Sequence, residues 1–223
     1  MNKTDPDSLG SIGMLETTGF TPAMVALDMM SKTAEIQVLQ AEVNDFLGIC
    51  IKIFGDTASV EVALAAGVEI AERMEGKPVI NQLFRPDSEA LKVINGQPEF
   101  NPLIQQDVVH LPKNDQNSDG ESEPIEKTEE STMANNQALG FIETQGFTAV
   151  FNAIDTACKA ANVEVIGKEK LGGGYITVVL SGDVAAVSAA VEAGEQAVQS
   201  LGTLIASHVI PRPTDAVVKL LPQ

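Results

Sequence analysis

The feature that most constrains this chain is an internal repeat. Ile12-Gly13-Met14-Leu15-Glu16-Thr17-Thr18-Gly19-Phe20-Thr21 aligns with Leu139-Gly140-Phe141-Ile142-Glu143-Thr144-Gln145-Gly146-Phe147-Thr148, an offset of 127. The same offset pairs Asp28 with Asp155, Lys32 with Lys159, Gly55-Asp56 with Gly182-Asp183, Ala66-Gly67 with Ala193-Gly194 and Arg85-Pro86 with Arg212-Pro213. No gap is needed from residue 12 to residue 91, and roughly 22 of those 80 positions are identical. A constant offset over that length is the signature of a duplicated structural unit. The chain therefore reads as two copies of one small domain, residues 9–94 and 137–222. Residues 95–136 lie between them as a tail and an acidic flexible linker. Lys113–Asn135 holds seven acids, two lysines and no aromatic residue. Such a segment cannot bury enough apolar surface to offset its ordering entropy.

Each copy carries the same pattern. A short apolar strand (Ser11–Leu15, Ala138–Ile142) precedes Thr-x-Gly-Phe-Thr, where Thr21 and Thr148 are candidate N-caps. In the second copy, Phe147, Val150, Phe151 and Ile154 fall at helical spacing. Val163–Lys168 and Tyr175–Leu180 flank a glycine-rich turn and read as a hairpin. Asp183 sits where a second helix needs an N-cap. Val187, Val191, Gly194, Val198 and Leu201 then mark one apolar helix face. A last strand, Leu204–Ile210, and a short closing helix, Asp215–Leu221, complete the unit. The order βαββαβ predicts an α+β fold: two tandem ferredoxin-like sandwiches in unpermuted order, helices on one face of an antiparallel sheet. A domain of about 85 residues buries only some 60–65% of its unfolded surface, so each copy is expected to lean on a neighbour.

Composition narrows the function. Against 14 Lys+Arg stand 31 Asp+Glu, a formal charge of -17 with pI near 4.3. Nucleic-acid binding needs clustered cations, and anionic membranes repel such a chain. With no Trp and a single Tyr (Tyr175), base-stacking platforms are nearly absent. The polar start, Met1–Gly10, has no apolar core of a signal peptide, and a cytoplasmic protein is expected. Cys50 and Cys158 make neither a disulfide framework nor a zinc cage. His110 and His208 have no counterparts in the repeat and read as structural. Neither cysteine has a sequence cue for activation, Glu16/Glu143 and Asp56/Asp183 read as strand-end contacts and caps, and no phosphate loop is present. No enzyme activity and no cofactor or metal is expected.

The copies differ most at the hairpin turn. Lys170-Leu171-Gly172-Gly173-Gly174-Tyr175 faces Val43-Asn44-Asp45-Phe46-Leu47-Gly48 in the alignment. Glycines needed for φ > 0 are replaced there by an acid and an aromatic.

Taken together, Ala138–Thr144, Asp155–Lys159, Lys170–Gly174, Ser181–Val184 and His208-Val209-Ile210-Pro211-Arg212-Pro213 strongly resemble the bacterial microcompartment shell domain, over residues 137–222. The whole chain resembles a tandem-domain shell protein of the kind that forms trimers. The resemblance implies a homotrimeric pseudohexamer, since three two-domain chains fill a six-domain ring. It implies edge-to-edge tiling, with Lys32, Lys159, Arg85 and Arg212 as tile-edge contacts. It places Asn44, Asp45, Phe46, Leu171, Gly172, Gly173 and Gly174 in loops around a central pore for small metabolites. Implied partners are other hexameric and pentameric shell proteins and encapsulated enzymes; the implied location is the shell of a cytoplasmic microcompartment. Some tandem shell proteins hold an iron–sulfur cluster at the pore, but neither loop here has a cysteine. Three Phe46 side chains around an axis would restrict passage. Divergence of the first copy and the long acidic linker lean toward a metabolosome over a carboxysome. The competing reading is a ferredoxin-like sensor that binds a small molecule at subunit interfaces.

Overall fold

The structure is a computed structural model that describes residues 10–44, 47–113, 137–199 and 201–222. The first repeat runs β1 (Ser11–Thr18), α1 (Phe20–Thr33), β2 (Gln37–Val43), β3 (Gly48–Gly55), α2 (Thr57–Arg73), β4 (Val79–Phe84) and α3 (Ser88–Ile94). The second runs β8 (Ala138–Gln145), α4 (Phe147–Ala160), β9 (Glu164–Gly172), β10 (Tyr175–Gly182), α5 (Val184–Val198), β11 (Thr203–Ile210) and α6 (Asp215–Val218). The sheets are antiparallel with orders β4-β1-β3-β2 and β11-β8-β10-β9, the ferredoxin-like arrangement twice over.

Alternation along each strand sorts its side chains between two faces. On β8, Gly140, Ile142 and Thr144 face the helices, and Ile142 joins Ala149, Val150, Val187 and Val191 in the second repeat's own core. Leu139, Phe141 and Glu143 point the other way and are just as buried. They meet the first repeat: Leu139, Phe141, Leu171, Val179, Ile210, Leu220 and Leu221 share one apolar cluster with Phe20, Met24, Leu27, Ile49 and Ile51. One core thus spans both repeats, as the small size of each predicted.

Asp56 and Asp183 cap α2 and α5, accepting the Ser59 and Ala186 amides at 3.0 and 2.9 Å. Hydrogen bonds to Ser59 hold the Asp56 carboxyl below its ordinary pKa. Thr21 and Thr148 are not caps. Gly19 (φ 92) and Gly146 (φ 117) hold that place, so both threonines lie inside their helices. A left-handed φ favours glycine, and glycine brings no capping oxygen. The closing helix stops at Val218, short of Leu221.

The tail of the first repeat is structured where its sequence shows no strand pattern. Residues Phe100–Asn101 (β5) and Gln106–Asp107 (β6) form a small hairpin, and Val109–His110 (β7) adds to the exposed edge of β2. Most of the acidic linker, residues 114–136, falls outside the described residues.

Candidate functional site

The seam between the repeats is the most elaborated surface. At its centre the Glu143 carboxylate reaches across to the N-terminus of α1. Its Oε1 accepts the Phe20 amide and its Oε2 the Thr21 amide, each at 2.9 Å. These are two of the amides that a glycine N-cap leaves without a side-chain partner. Burial pushes the Glu143 pKa up, against the opposing pull of the Thr21 and Phe20 amides and the Thr177 hydroxyl. Beside it the Phe20 and Phe141 rings pack with centroids 6.5 Å apart. At the far end of α1 the Asp28 carboxylate accepts the Thr214 amide at 2.9 Å and the Lys32 ammonium at 2.5 Å. His208 on β11 lies near Asp28, yet burial, the larger effect, lowers its pKa.

The tail closes a second part of the seam. Gln106 behaves like a strand partner for the free edge of β9. Its Nε2 donates to the Lys170 carbonyl at 2.8 Å and its Oε1 accepts the Lys170 amide at 3.2 Å. The same Nε2 donates to Glu169, and Lys170 Nζ donates to the Ile104 carbonyl at 2.9 Å. His110 Nε2 stands 3.4 Å from Oε1 of the buried Glu169, without the alignment of a hydrogen bond. Burial disfavours the imidazolium, but Glu169 and then Asp107 outweigh it, and the His110 pKa is raised overall. Nothing in the sequence pointed to Gln106, Glu169 or His110 as a set; they converge only because the tail folds back on the second repeat.

The seam uses the helix face of repeat one and the sheet face of repeat two, so their counterparts remain uncovered. Phe20 is 1% exposed and its counterpart Phe147 47%; Met24 is 0% exposed and its counterpart Phe151 51%. The Asp28 side chain is 9% exposed, that of Asp155 60%. The α4 amides begin at Gly146 with no side-chain cap. On the sheet face of repeat one, Glu16 is the counterpart of Glu143. In this chain it takes a hydrogen bond from Asn44 Nδ2. Val79, directly opposite Glu16 in the β1–β4 register, is exposed.

The hairpin loops of the repeats lie side by side. Gly19 N donates to the Leu47 carbonyl at 2.8 Å, and Gly146 N to the Gly174 carbonyl at 2.9 Å, the same bond at the repeat offset. Gly172, Gly173 and Gly174 all have positive φ, as the turn reading requires. Leu47 takes a positive φ of 66° without being glycine and packs against Gly173. Asn44 and Leu171 flank these turns; Asp45 and Phe46 lie outside the described residues. Lys32 and Lys159 each pair with the aspartate one helical turn earlier, at 2.5 Å. Arg85 and Arg212 are exposed at the ends of β4 and β11, and Arg85 has a φ of 47°.

Burial, followed by the Glu16 carboxylate, pushes the Cys50 thiol up to about 11, which suppresses its thiolate. Cys158 is exposed on α4. Among the described residues no group of three or more His, Cys, Asp or Glu is placed to hold a metal ion. Among those residues no helix is long and apolar enough to cross a membrane.

The chain is thus a duplicated ferredoxin-like unit with one repeat-to-repeat interface filled and its counterpart open. The BMC domain family matches residues 11–87 and 138–213, and the chain belongs to that family as a tandem-domain bacterial microcompartment shell protein. Over 221 residues, 99% of this chain and 71% of the relative, it is 33% identical to the carboxysome assembly protein CcmO of Synechococcus elongatus. It is 49% identical over 87 residues to the microcompartment shell protein PduA of Citrobacter freundii, covering 39% of this chain and 94% of the relative. A similar match, 49% over 77 residues, links it to the carboxysome shell protein CsoS1 of Prochlorococcus marinus, with 34% of this chain and 75% of the relative covered. Two of these relatives are shell proteins and the third is a carboxysome assembly protein, which supports a structural role in a shell.

Proposed function

We propose that three chains close head to tail into a pseudohexameric ring, and that this ring is a non-enzymatic tile of a cytoplasmic microcompartment shell. The observation that carries the reading is the half-used interface. Helix α1 is covered by the second repeat of its own chain, while the matching face of α4, the same helix at the repeat offset, is uncovered at Phe147 and Phe151. If α4 docks as α1 does, Phe147 packs on Met14 of the partner subunit. Glu16 of the partner subunit then takes the Phe147 and Thr148 amides. An interface of this kind joins unlike surfaces, so it continues from chain to chain until it closes a ring or runs on as a filament. Domains of the form 9–94 and 137–222 then alternate around the axis.

In that ring the Asn44-Asp45-Phe46 and Leu171–Gly174 loops alternate around a central pore for small metabolites, and Phe46 narrows it. Lys32, Lys159, Arg85 and Arg212 sit at the rim and meet neighbouring tiles. Other hexameric and pentameric shell proteins complete the facets, and enclosed enzymes lie within. The test is the solution mass by light scattering, followed by imaging. Three times the chain mass of 23.5 kDa, with sheets at higher concentration, is expected. A monomer that stays monomeric at high concentration overturns the ring. Solute flux through Phe46→Gly shells above that of wild type is expected; equal flux removes the restricted pore while leaving the tile intact.

A further inference from the structure

The tail and the C-terminal residues enclose a groove of about 430 Å³ at the seam. It uses none of the proposed pore or rim residues. Its polar lining is Gln106, His110 and Lys113 from the tail with Lys168 and Lys219 from the second repeat, and Asp107 is the one carboxylate among its described lining residues. Glu169 is buried behind His110 and is engaged by His110 and Gln106. Three of the 14 cations of a chain with net charge -17 therefore converge on one cavity. A concave site in which one sign of charge predominates focuses its potential inward and concentrates counter-ions.

Lys113 is fixed in place: its Nζ donates to the Leu221 carbonyl at 3.0 Å and its amide to the Lys219 carbonyl at 3.3 Å. Burial lowers its pKa. Lys168 is exposed and has no ion-pair partner among the described residues. Val109, Leu111 and Leu220 supply an apolar wall. The volume lies in the range of small-molecule sites, which combine apolar walls with a few convergent polar groups. Neither repeat could make this groove alone, because Lys113 comes from the segment after the first repeat and Lys168 and Lys219 from the second.

We infer that this groove binds a small organic molecule carrying two or more carboxylate or phosphate charges. The anion bridges the lysines contributed by the two repeats, and its carbon skeleton lies on the apolar wall. The site belongs to the single chain and stands or falls independently of ring closure.

The test is calorimetric titration of the full chain at fixed ionic strength with citrate and, separately, pyrophosphate, and with glycerol as uncharged control. Saturable binding of one anion per chain is expected. Lys168→Gln is expected to weaken it about tenfold, and Lys219→Gln comparably, as loss of a charge-assisted contact does. Arg73→Gln makes the same charge change outside the groove, at an exposed residue of α2, and should leave binding unchanged. Preference for citrate assigns a carboxylate ligand, preference for pyrophosphate a phosphate ligand. Absence of saturable binding by either anion overturns the site. So does an equal loss in Arg73→Gln, which would mean attraction to charge in general. Lys168 is exposed and outside the core, so its variant should fold, and an unchanged melting temperature verifies that.

Discussion

Glu143 of the second repeat caps α1 of the first by accepting the Phe20 amide at 2.9 Å, with Thr21 on its other oxygen. A residue in one domain does for the other what Gly19 cannot do locally. Removing it in Glu143→Ala strands two buried amides and opens a cavity at the Phe20–Phe141 contact. A loss of about 2–4 kcal/mol is expected, since each unsatisfied buried donor costs ~1–3 kcal/mol. Chemical denaturation of the dilute, unassembled chain measures it. Glu16→Ala, the same change at the repeat offset, should cost under ~1 kcal/mol in that assay, because Glu16 lies at a partly open face. It should instead weaken assembly. Equal destabilisation of the unassembled chain by both variants would contradict the unequal use of the two interfaces.

The aromatic residues on α4 make the complementary prediction. Phe147 and Phe151 pack on each other, centroids 6.0 Å apart, on the outside of the chain. They are about half exposed, whereas Phe20 and Met24 are fully covered. Phe147→Lys with Phe151→Lys should leave the melting temperature of the unassembled chain within a few degrees. It should abolish the trimer, because each side chain buried on assembly contributes about 1.5–3 kcal/mol. Sedimentation of the double variant checks this; an unchanged trimer would place the chain–chain contact elsewhere.

The repeat made most of this legible. Period-2 and period-3.6 patterns locate the strands and helices of both copies, because each buries a face and the pattern records it. The duplication makes every reading doubly determined. Asp183 was readable as a cap because its carboxylate acts three residues away. Glu143 was not readable as one, because it acts on residues 122 and 123 positions away. The Thr21 reading fails for the same reason: the α1 cap exists, but it comes from the other domain. The tail escaped because β5, β6 and β7 are two residues each, too short to show any period. Gln106 holds β9 through a side-chain amide, which leaves no pattern in sequence.

His110 gives the tail a pH dependence whose sign follows from its surroundings. Burial acts against the imidazolium, but Glu169 and Asp107 outweigh both it and the repulsion from Lys113, so the folded pKa is above 6.5. A raised histidine pKa contributes stability fully present below the unfolded value and lost as pH rises through the folded one. Hydrogen exchange at Val109 and His110, corrected for intrinsic rates, should therefore show more protection near pH 6 than near pH 8. His110→Gln should flatten that difference. Global stability is the wrong readout. His208, whose pKa is lowered by burial, contributes in the opposite direction, losing stability as pH falls through 6.5 toward its folded value. If exchange at β7 is independent of pH in wild type, the His110–Glu169 pair does not hold the tail.

The contact between the two loops can be weighed by a double-mutant cycle. Gly173 has a φ of 54°, and a Cβ built there would lie 2.2 Å from Leu47 Cδ2. Gly173→Ala thus meets two separable costs. The left-handed backbone accounts for about 1 kcal/mol. The clash adds a similar amount, limited because Leu47 is the end of a flexible side chain. In the Leu47→Ala background only the backbone cost should remain, giving a coupling of about 0.5–1 kcal/mol between the positions. Urea denaturation of the four chains supplies the cycle. Zero coupling would mean that the loops do not touch in solution, and alternation of the two loop types around a shared axis would lose its local support.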